Sequence, residues 1–242
     1  MKEFFTWSTF RTVVLLLTIL FLGEPSPRGV AAEADTLKVA YFDSPEMLDG
    51  APAGWTRERY RGEPDLTMER DAVGVFLRMA SRGDRAFGIR KKISVDLATY
   101  PFLNWRWRVH KLPARGDVRR ADRDDQAAQI YVVYKKAGMH MTLQSPTVAY
   151  VWDNEAPRGL TVKSPQRLMG DVRYVVMRDG TDAIGQWHTE KRNLLEDGRN
   201  AFPELHKESF PQQVQGMMLF INTHHTNSEA AGDVGDLSFS RR

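Results

Sequence analysis

The chain has 242 residues, no cysteine and a formal net charge of +3 at pH 7, and 42% of its residues are hydrophobic. The 34 basic and 31 acidic residues leave only a small positive surplus, without the clustered basic patch that nucleic-acid binding requires. The lack of cysteine excludes disulfides, thiol nucleophiles and thiolate metal sites. The apolar content and the length suit a folded domain with a substantial core.

The N-terminal segment has the order of a secretory signal peptide. A basic start precedes the apolar run 13–22, and small residues follow at 30–32. The apolar run is too short for a spanning helix, which needs roughly 20 residues. We expect removal of residues 1–32, which carries away one net positive charge and leaves residues 33–242 with a net charge of +2. The mature protein is predicted to be periplasmic or secreted, without a stable membrane span.

Ten short segments are predicted as strands, because they are rich in β-branched and aromatic residues and are separated by Gly, Pro, Asn and Asp clusters. In chain order they are 37–41, 65–70, 74–80, 102–109, 127–135, 147–152, 172–178, 187–194, 215–222 and 236–240. One short helix is predicted at 193–202, where Leu194, Leu195 and Phe202 can share a face. The pattern predicts an all-β protein, with a single antiparallel β-sandwich of jelly-roll type over residues 33–242.

Segment 102–109 shows the clearest alternation in the chain. Trp105 and Trp107 fall on one face of the expected strand. Arg106 and Arg108 fall on the other face, because successive side chains of a strand point in opposite directions. The indoles belong in the core, since burying an unpaired guanidinium group is costly.

Segment 127–135 is expected to be the neighbouring strand, with the same division of faces. Ala128, Ile130, Val132 and Tyr134 form its core-facing set. Gln129 and Tyr131 then lie with the two arginines on a concave outer face, where amide, phenol and guanidinium groups suit the recognition of a sugar. An ordinary solvated sheet face is the alternative interpretation.

Several separated motifs occur in a fixed order: 105–109 (WRWRV), 112–113 (LP), 124–125 (DD), 127–128 (AA), 131–133 (YVV), 150–152 (YVW), Trp187, 190–192 (EKR) and 235–239 (GDLSF). In these motifs the chain resembles an exported bacterial family known as domain of unknown function three-zero-four-seven. The resemblance implies a jelly-roll sandwich similar to carbohydrate-binding modules and brings no established activity. Two departures are Gln129, where the family tends to have arginine, and 222–227, where it tends to have acidic residues.

Four further candidates for ligand contact lie elsewhere in the chain. Asp125, with its neighbour Asp124, precedes a strand and could offer oxygen ligands to calcium, although no calcium-loop spacing is present. Trp152 could stack on a sugar at the rim, with a core position as the alternative. His188 and Glu190 share a face and could act as acid and base, but no nucleophile accompanies them.

His224 and His225 invite a metal interpretation. Adjacent side chains on an extended strand diverge, so both reach one ion only if the segment turns. Zinc also needs a third protein ligand, which the sequence does not identify. We therefore predict no metal site, no catalytic set and no cofactor other than a weakly supported calcium ion. The candidate ligand-binding residues are Arg106, Arg108, Asp125, Gln129, Tyr131, Trp152, His188 and Glu190.

The preferred functional hypothesis is a non-catalytic exported jelly-roll protein that binds a carbohydrate or cell-envelope polymer on a concave sheet face. One alternative is a polysaccharide lyase or hydrolase acting through His188, Glu190, Tyr131 or an arginine. Another is an envelope protein that binds a protein partner or has a structural role. The absence of a Gly-x-Ser-x-Gly elbow, a phosphate loop and a His-Glu-x-x-His motif argues against the common hydrolase, nucleotide-enzyme and zinc-protease classes.

Overall fold

Short strands dominate the structure. The computed structural model describes residues 35–40, 42, 44–135, 145–166 and 170–242, so the predicted signal peptide at 1–32 lies outside the described residues. In chain order the strands are β1 (Thr36–Ala40), β2 (Met47–Leu48), β3 (Ala51–Pro52), β4 (Thr56–Arg61), β5 (Leu66–Arg70), β6 (Val75–Arg82), β7 (Ala86–Asp96), β8 (Phe102–Lys111), β9 (Ala128–Tyr134), β10 (Thr147–Trp152), β11 (Thr161–Lys163), β12 (Val172–Arg178), β13 (His188–Asn193), β14 (Gln213–Asn222) and β15 (Glu229–Ser240). Helix α1 (Leu194–Ala201) and a 3-10 turn (Lys207–Ser209) lie between β13 and β14.

Two sheets contain nearly all of these strands. The six-stranded sheet has the order β13-β8-β15-β6-β5, with β1 paired to β15. The seven-stranded sheet has the order β11-β12-β10-β9-β14-β7-β4, and within it β10 and β12 are parallel. All described residues belong to the unit Ala34–Arg242. The predicted all-β, jelly-roll sandwich with one short helix is therefore confirmed.

The main core lies between the two sheets and is built from alternating strand positions. Trp105 and Trp107 of β8 are buried in it, and so are Ile130 and Val132 of β9. The ring centres of Trp107 and Trp152 are 5.8 Å apart, which joins the two sheets. The core-facing sets predicted for both strands are thus correct, because each strand has one face that only apolar side chains can occupy without an uncompensated cost.

The predicted pairing of β8 with β9 is wrong. β8 lies between β13 and β15 in the six-stranded sheet, whereas β9 lies between β10 and β14 in the seven-stranded sheet. The two strands therefore lie in different sheets instead of side by side, and the tryptophans of β8 contact Tyr150 and Trp152 of β10 across the core. Alternation determines which face of a strand is buried, but both arrangements bury the same residues, so the pattern could not distinguish them.

The sequence analysis also missed β4 and β7, which form one edge of the seven-stranded sheet. β4 is almost entirely polar, and β7 includes Gly88 and the consecutive basic residues Arg90, Lys91 and Lys92. A Cβ atom at Gly88 would lie 2.0 Å from the backbone oxygen of Leu219, so the close approach of β7 to β14 requires glycine there. The same glycine weakens the sequence signal for a strand.

The seven-stranded sheet carries a second apolar layer on its outer face. All six residues of β10 are buried, which places that strand under cover on both sides. The residues of the second layer are Ala86, Val118, Tyr131, Ala149, Val151, Ala156, Val172, Tyr174, Val176 and Phe220. Val118 and Ala156 come from the loops after β8 and β10, so these loops cover part of the sheet.

Helix α1 occupies the predicted position and is stabilised at both the cap and the first turn. Asn193 Oδ1 accepts hydrogen bonds from the backbone nitrogens of Leu195 at 3.1 Å and Glu196 at 3.3 Å. Asp197 accepts a 2.7 Å hydrogen bond from the Tyr150 hydroxyl and pairs with Arg192. The helix is therefore fixed to β10 and β13.

Candidate functional site

The arginines of β8 lie on the outer face of the six-stranded sheet, against Trp187. The guanidinium carbons of Arg106 and Arg108 are 4.1 and 4.4 Å from the centre of the Trp187 ring. The indole Nε1 of Trp187 donates to Asp71 Oδ2 at 2.8 Å. Arg106 also forms an ion pair with Asp236, and its side chain is only 4% exposed. Both arginines are thus engaged by residues of the chain itself.

Asp233 neutralises the basic groups beside this stack. Its fully buried carboxylate accepts hydrogen bonds from Arg78 Nε at 2.9 Å and from Arg108 Nη2 at 2.6 Å. A ring nitrogen of His110 lies 2.7 Å from the same carboxylate. Burial opposes ionisation of Asp233, but the hydrogen bonds from Arg78, His110 and Arg108 outweigh it and hold the pKa below its usual range. This surface is an internally compensated charge cluster.

Gln129 and Tyr131 lie on the outer face of the seven-stranded sheet, on the opposite side of the sandwich from the arginines. The Tyr131 hydroxyl donates to Gln129 Oε1 at 2.7 Å, and Gln129 Nε2 donates to Asn222 Oδ1 at 2.6 Å. Asn222 Nδ2 in turn donates to the backbone oxygen of Asp124 at 2.6 Å. The structure therefore joins Gln129 and Tyr131 to each other but not to Arg106 and Arg108, which corrects the predicted mixed surface.

Asp124 is a buried carboxyl group that forms no ion pair within the part of the chain that the structure describes. It accepts hydrogen bonds from the Tyr174 hydroxyl at 3.1 Å and from Gln126 Nε2 at 3.2 Å. Burial raises the pKa of Asp124 to about 7, against the lowering effect of hydrogen bonds from Tyr174, Gln126 and Gln166. The buried Gln126 Oε1 has no hydrogen-bond partner, so the amide has acceptor capacity left beside this acid.

Asp153 is a second buried acid in the same region. The backbone nitrogens of Val118, Glu155 and Ala156 donate to it at 3.0, 2.9 and 2.6 Å. Burial nevertheless raises the pKa of Asp153 to about 6, because the backbone hydrogen bonds offset only part of the desolvation cost. Asp124 and Asp153 both come from loops that cover the seven-stranded sheet.

Asp125 is also fully buried, but its carboxylate is held by different partners from those of Asp124. Thr226 donates to Asp125 Oδ2 through its backbone nitrogen at 2.6 Å and its hydroxyl at 2.7 Å. His224 and His225 precede Thr226 in a turn, with their ring centres 3.8 Å apart. The condition that the segment must turn is therefore met. Burial is the largest cause that lowers the pKa of both imidazoles, so they favour the neutral form.

Trp152, His188 and Glu190 meet at the edge of the main core, not on an outer surface. Trp152 is fully buried, and its Nε1 donates to the backbone oxygen of Asp179 at 3.1 Å. His188 packs edge-on against Trp152 at 5.2 Å. Glu190 accepts hydrogen bonds from Trp107 Nε1 at 3.2 Å and Arg178 Nε at 2.6 Å. The core alternative for Trp152 is the one that the structure shows, and Glu190 has a structural role in pairing strands across the sandwich.

The exposed part of the seven-stranded sheet carries a candidate surface that was not predicted from the sequence. Tyr60 of β4 is 58% exposed, and the other described aromatic side chains are buried or half-buried. Its ring contacts Phe220 edge to face, with centres 5.5 Å apart and planes at 85°. Glu58 and Arg90 form an ion pair on the neighbouring strands β4 and β7, and Lys92 is exposed further along β7. We call these residues, Glu58, Tyr60, Arg90 and Lys92, the Tyr60 surface.

The fold defines a jelly-roll β-sandwich with a covered half and an exposed half on the outer face of its seven-stranded sheet. Residues 53–238 match the family described as protein of unknown function (DUF3047), so the chain belongs to that family. The family resemblance stated from the motifs is thereby confirmed. No curated protein sequence matches the chain. Among the described residues, no helix has the length and apolar character needed to cross a membrane.

Several solved structures are similar to the chain in fold. The family 11 carbohydrate-binding module from Clostridium thermocellum, in complex with a β-1,3-1,4-mixed-linked tetrasaccharide, is 11% identical with a TM-score of 0.40, covering 81% of this chain and 94% of that one. A cellulase derived from Cel12A of Rhodothermus marinus is 11% identical with a TM-score of 0.44, covering 77% and 91%. A mutant of Xyn11A from Necallimastix patriciarum is 11% identical with a TM-score of 0.37, covering 85% and 98%. At these levels the likenesses say nothing about a ligand or an activity.

Proposed function

We propose that the protein binds a carbohydrate or a related cell-envelope polymer at the Tyr60 surface, without a covalent step. The observation that carries this proposal is the combination of exposure and fixed orientation at Tyr60. The ring is 58% exposed, yet Phe220 holds it from beneath by an edge-to-face contact at 5.5 Å. An aromatic ring that is already fixed loses little side-chain entropy when a ligand packs on it.

The chemistry around Tyr60 supports a sugar as the ligand. An aromatic ring covers the apolar C–H face of a pyranose, while charged and amide groups at its edge satisfy hydroxyl groups. Glu58 offers carboxylate acceptors, and Arg90 offers a fork of donors on the adjacent strand. The exposed Lys92 adds a positive charge, which favours polymers that carry carboxylates or phosphates.

The position on paired strands supports a preformed site. β4 pairs with β7 on both sides of Tyr60, which lies at a register shift between Arg59 and Arg61, and β7 pairs with β14, which carries Phe220. Side chains on paired strands are placed more accurately than side chains on loops. The predicted signal peptide at 1–32, which stays a prediction, would bring this surface into contact with envelope polymers.

The geometry gives less support to the lyase or hydrolase alternative. His188 and Glu190 pair with β8 residues whose side chains enter the main core, and Glu190 is bound by Trp107 and Arg178. Tyr131 lies on the outer face of the other sheet, with its hydroxyl bonded to Gln129. His188 and Glu190 lie together at the edge of the main core, whereas Tyr131 lies on an outer face, so the described residues do not bring all three to one site.

A polymer array tests the proposal directly. The purified protein is applied to immobilised glycans, peptidoglycan and lipopolysaccharide, with added calcium and separately with a chelator. We expect saturable binding that Tyr60→Ala weakens at least about tenfold, equivalent to about 1.4 kcal/mol. Tyr60→Phe, which keeps the ring, should bind within about twofold of the wild type. A blank array in both conditions would contradict the proposal and favour the protein-partner alternative.

A further inference from the structure

The turn that follows β14 brings two histidine side chains together. His224 to Asn227 form the turn, and Asn227 has a φ of 50°, in the left-handed region. The chain reverses here before β15, so adjacent side chains do not diverge as they would on a strand. As a result the imidazole rings of His224 and His225 stand 3.8 Å apart, centre to centre.

Asp125 completes a group of three side chains that can bind a metal. One ligand atom from each of Asp125, His224 and His225 lies within 4.8 Å of the other two. His224 Nδ1 is 3.7 Å from Asp125 Oδ1. This nitrogen is buried and makes no hydrogen bond with any atom of the described residues. A buried polar atom without a partner is costly, and a bound cation would remove that cost.

We propose that Asp125, His224 and His225 bind a zinc ion, with the fourth position open to water or a ligand. Two imidazole nitrogens and one carboxylate oxygen are a donor set that zinc uses with an open position. Calcium is disfavoured, because it prefers six or more oxygen ligands. Ligand atoms around a tetrahedral zinc ion lie about 3.3 Å apart for metal–ligand bonds of about 2.0–2.1 Å. Small side-chain rotations would bring the three atoms to that spacing.

The surroundings already hold the ligands in the way that metal sites require. Thr226 donates two hydrogen bonds to Asp125 Oδ2, and the backbone nitrogen of His225 donates to Oδ1 at 3.3 Å. Gln166 Nε2 donates to the backbone oxygen of Ala121 at 2.9 Å and lies 3.1 Å from His225 Nε2, so this amide donor faces an unprotonated ring nitrogen, the form in which a histidine nitrogen binds a metal. Hydrogen bonds of this kind fix the orientation of ligands around a metal.

The site joins two covering elements of the seven-stranded sheet. Asp125 ends the loop that follows β8, and the histidines begin the connection from β14 to β15. Two parts of the loop after β8 pack closely against each other at this point. A Cβ atom at Gly116 would lie 2.3 Å from the backbone oxygen of Asp125 in the same loop. A zinc ion would therefore stabilise the folded state against the unfolded chain, in which the three ligands are not assembled.

Calorimetric titration of the chelator-treated protein with Zn²⁺ tests the proposal, and Co²⁺ absorption gives a second readout of the ligand set. We expect one zinc ion per chain and a tetrahedral Co²⁺ spectrum. His224→Ala should lose at least about 100-fold in affinity, and Thr226→Val, which removes one hydrogen bond to Asp125, about tenfold. His206→Ala, an exposed histidine outside the group, serves as the matched control and should bind like the wild type.

Three results would overturn the zinc proposal. The first is no heat of binding and no Co²⁺ spectrum for the folded wild type. The second is equal affinity of His224→Ala and wild type, with circular dichroism showing that both are folded. The third is binding of Ca²⁺ as tight as that of Zn²⁺, which would mean that the imidazoles are not ligands. None of these results depends on whether the Tyr60 surface binds a glycan.

Discussion

The two outer faces of the sandwich differ in whether their buried acids lie beside basic groups. On the six-stranded sheet, Asp233 is surrounded by Arg78, Arg108 and His110, and its pKa is held below its usual range. On the seven-stranded sheet, burial raises the pKa of Asp124 to about 7 and of Asp153 to about 6, since taking the charged form out of water is costly. Asp233 on the first face is thus balanced by basic groups of the chain itself, whereas Asp124 and Asp153 on the second face form no ion pair with the described residues.

This difference indicates which face has a function beyond stability. A compensated cluster such as that around Asp233 has its hydrogen-bonding capacity satisfied within the chain. Acids without an ion pair, an imidazole nitrogen without a hydrogen bond among the described residues and an exposed aromatic ring are features that an outside group can satisfy. All of these lie on the seven-stranded sheet or in the loops that cover its outer face. The comparison therefore supports the proposal that a ligand binds on this side of the sandwich.

The largest expected effect comes from removing the compensating acid of the six-stranded sheet. Asp233→Asn removes the buried carboxylate that Arg78 and Arg108 share, and leaves Arg78 with only the partly exposed Glu69 and Arg108 with only Asp71 at 3.9 Å. We expect the free energy of unfolding to fall by about 3–5 kcal/mol, measured by urea denaturation. Asp84→Asn is the matched control, since the Asp84–Arg61 pair is exposed and should contribute no more than about 1 kcal/mol. Equal losses in both variants would contradict the compensation argument.

The second prediction concerns Asp124 and the pH dependence of stability. Its raised pKa means that the folded protein retains a proton that the unfolded chain releases above a pKa of 3.8. The contribution of this proton to the free energy of unfolding is complete below pH 3.8 and is lost as the pH rises through about 7. Asp124→Asn cannot ionise, so it should be more stable than the wild type at pH 8, by up to about 4 kcal/mol, and similar to it at pH 4.

Thermal unfolding of both proteins from pH 4 to pH 8 measures this difference. In the Asp124→Asn variant, stability should still fall as the pH rises, but by less than in the wild type. Asp153 causes this remaining dependence, because burial also raises its pKa. The lowered pKa values of His224 and His225 act in the opposite direction below pH 6.5, and they affect both proteins alike. If Asp124→Asn is more stable than the wild type by the same amount at pH 4 as at pH 8, the assignment of the pH dependence to Asp124 is contradicted.

A third prediction tests whether Asn222 holds the covering loop on the seven-stranded sheet. Its side chain accepts from Gln126 N at 3.0 Å and Gln129 Nε2 at 2.6 Å, and it donates to the backbone oxygen of Asp124. Asn222→Ala leaves these buried groups unpaired and should cost about 2 kcal/mol in unfolding free energy. Asn200→Ala, at an exposed helix position, should change stability by less than about 0.5 kcal/mol.

Much of the fold could be predicted from the sequence, because its local signals were strong. The segments 147–152 and 172–178 coincide with β10 and β12, and the alternation of Trp105 and Trp107 identified core residues. Strand pairing was not predictable, since pairing β8 beside β9 or opposite β9 buries the same side chains. The polar strand β4 gave no apolar alternation, so Tyr60 was missed along with it.

The candidate site was less predictable because it depends on contacts distant in sequence. Asp125 and the histidine pair are about 100 residues apart, and only the turn after β14 brings them together. The outer positions of Gln129 and Tyr131 were correct, but they are buried beneath covering loops. A loop that covers a sheet has no hydrophobic periodicity. The sequence therefore does not reveal that polar residues on the outer face of a strand are buried.

The most direct test of the account compares one variant on each face for binding of the polymer retained on the array. Tyr60→Ala changes the exposed part of the seven-stranded sheet, and Arg82→Ala changes a side chain of the six-stranded sheet that is 78% exposed. Affinity measured by calorimetry should fall at least about tenfold for Tyr60→Ala and less than about twofold for Arg82→Ala. An unchanged affinity for Tyr60→Ala, or a larger loss for Arg82→Ala, would contradict the assignment of binding to the seven-stranded sheet.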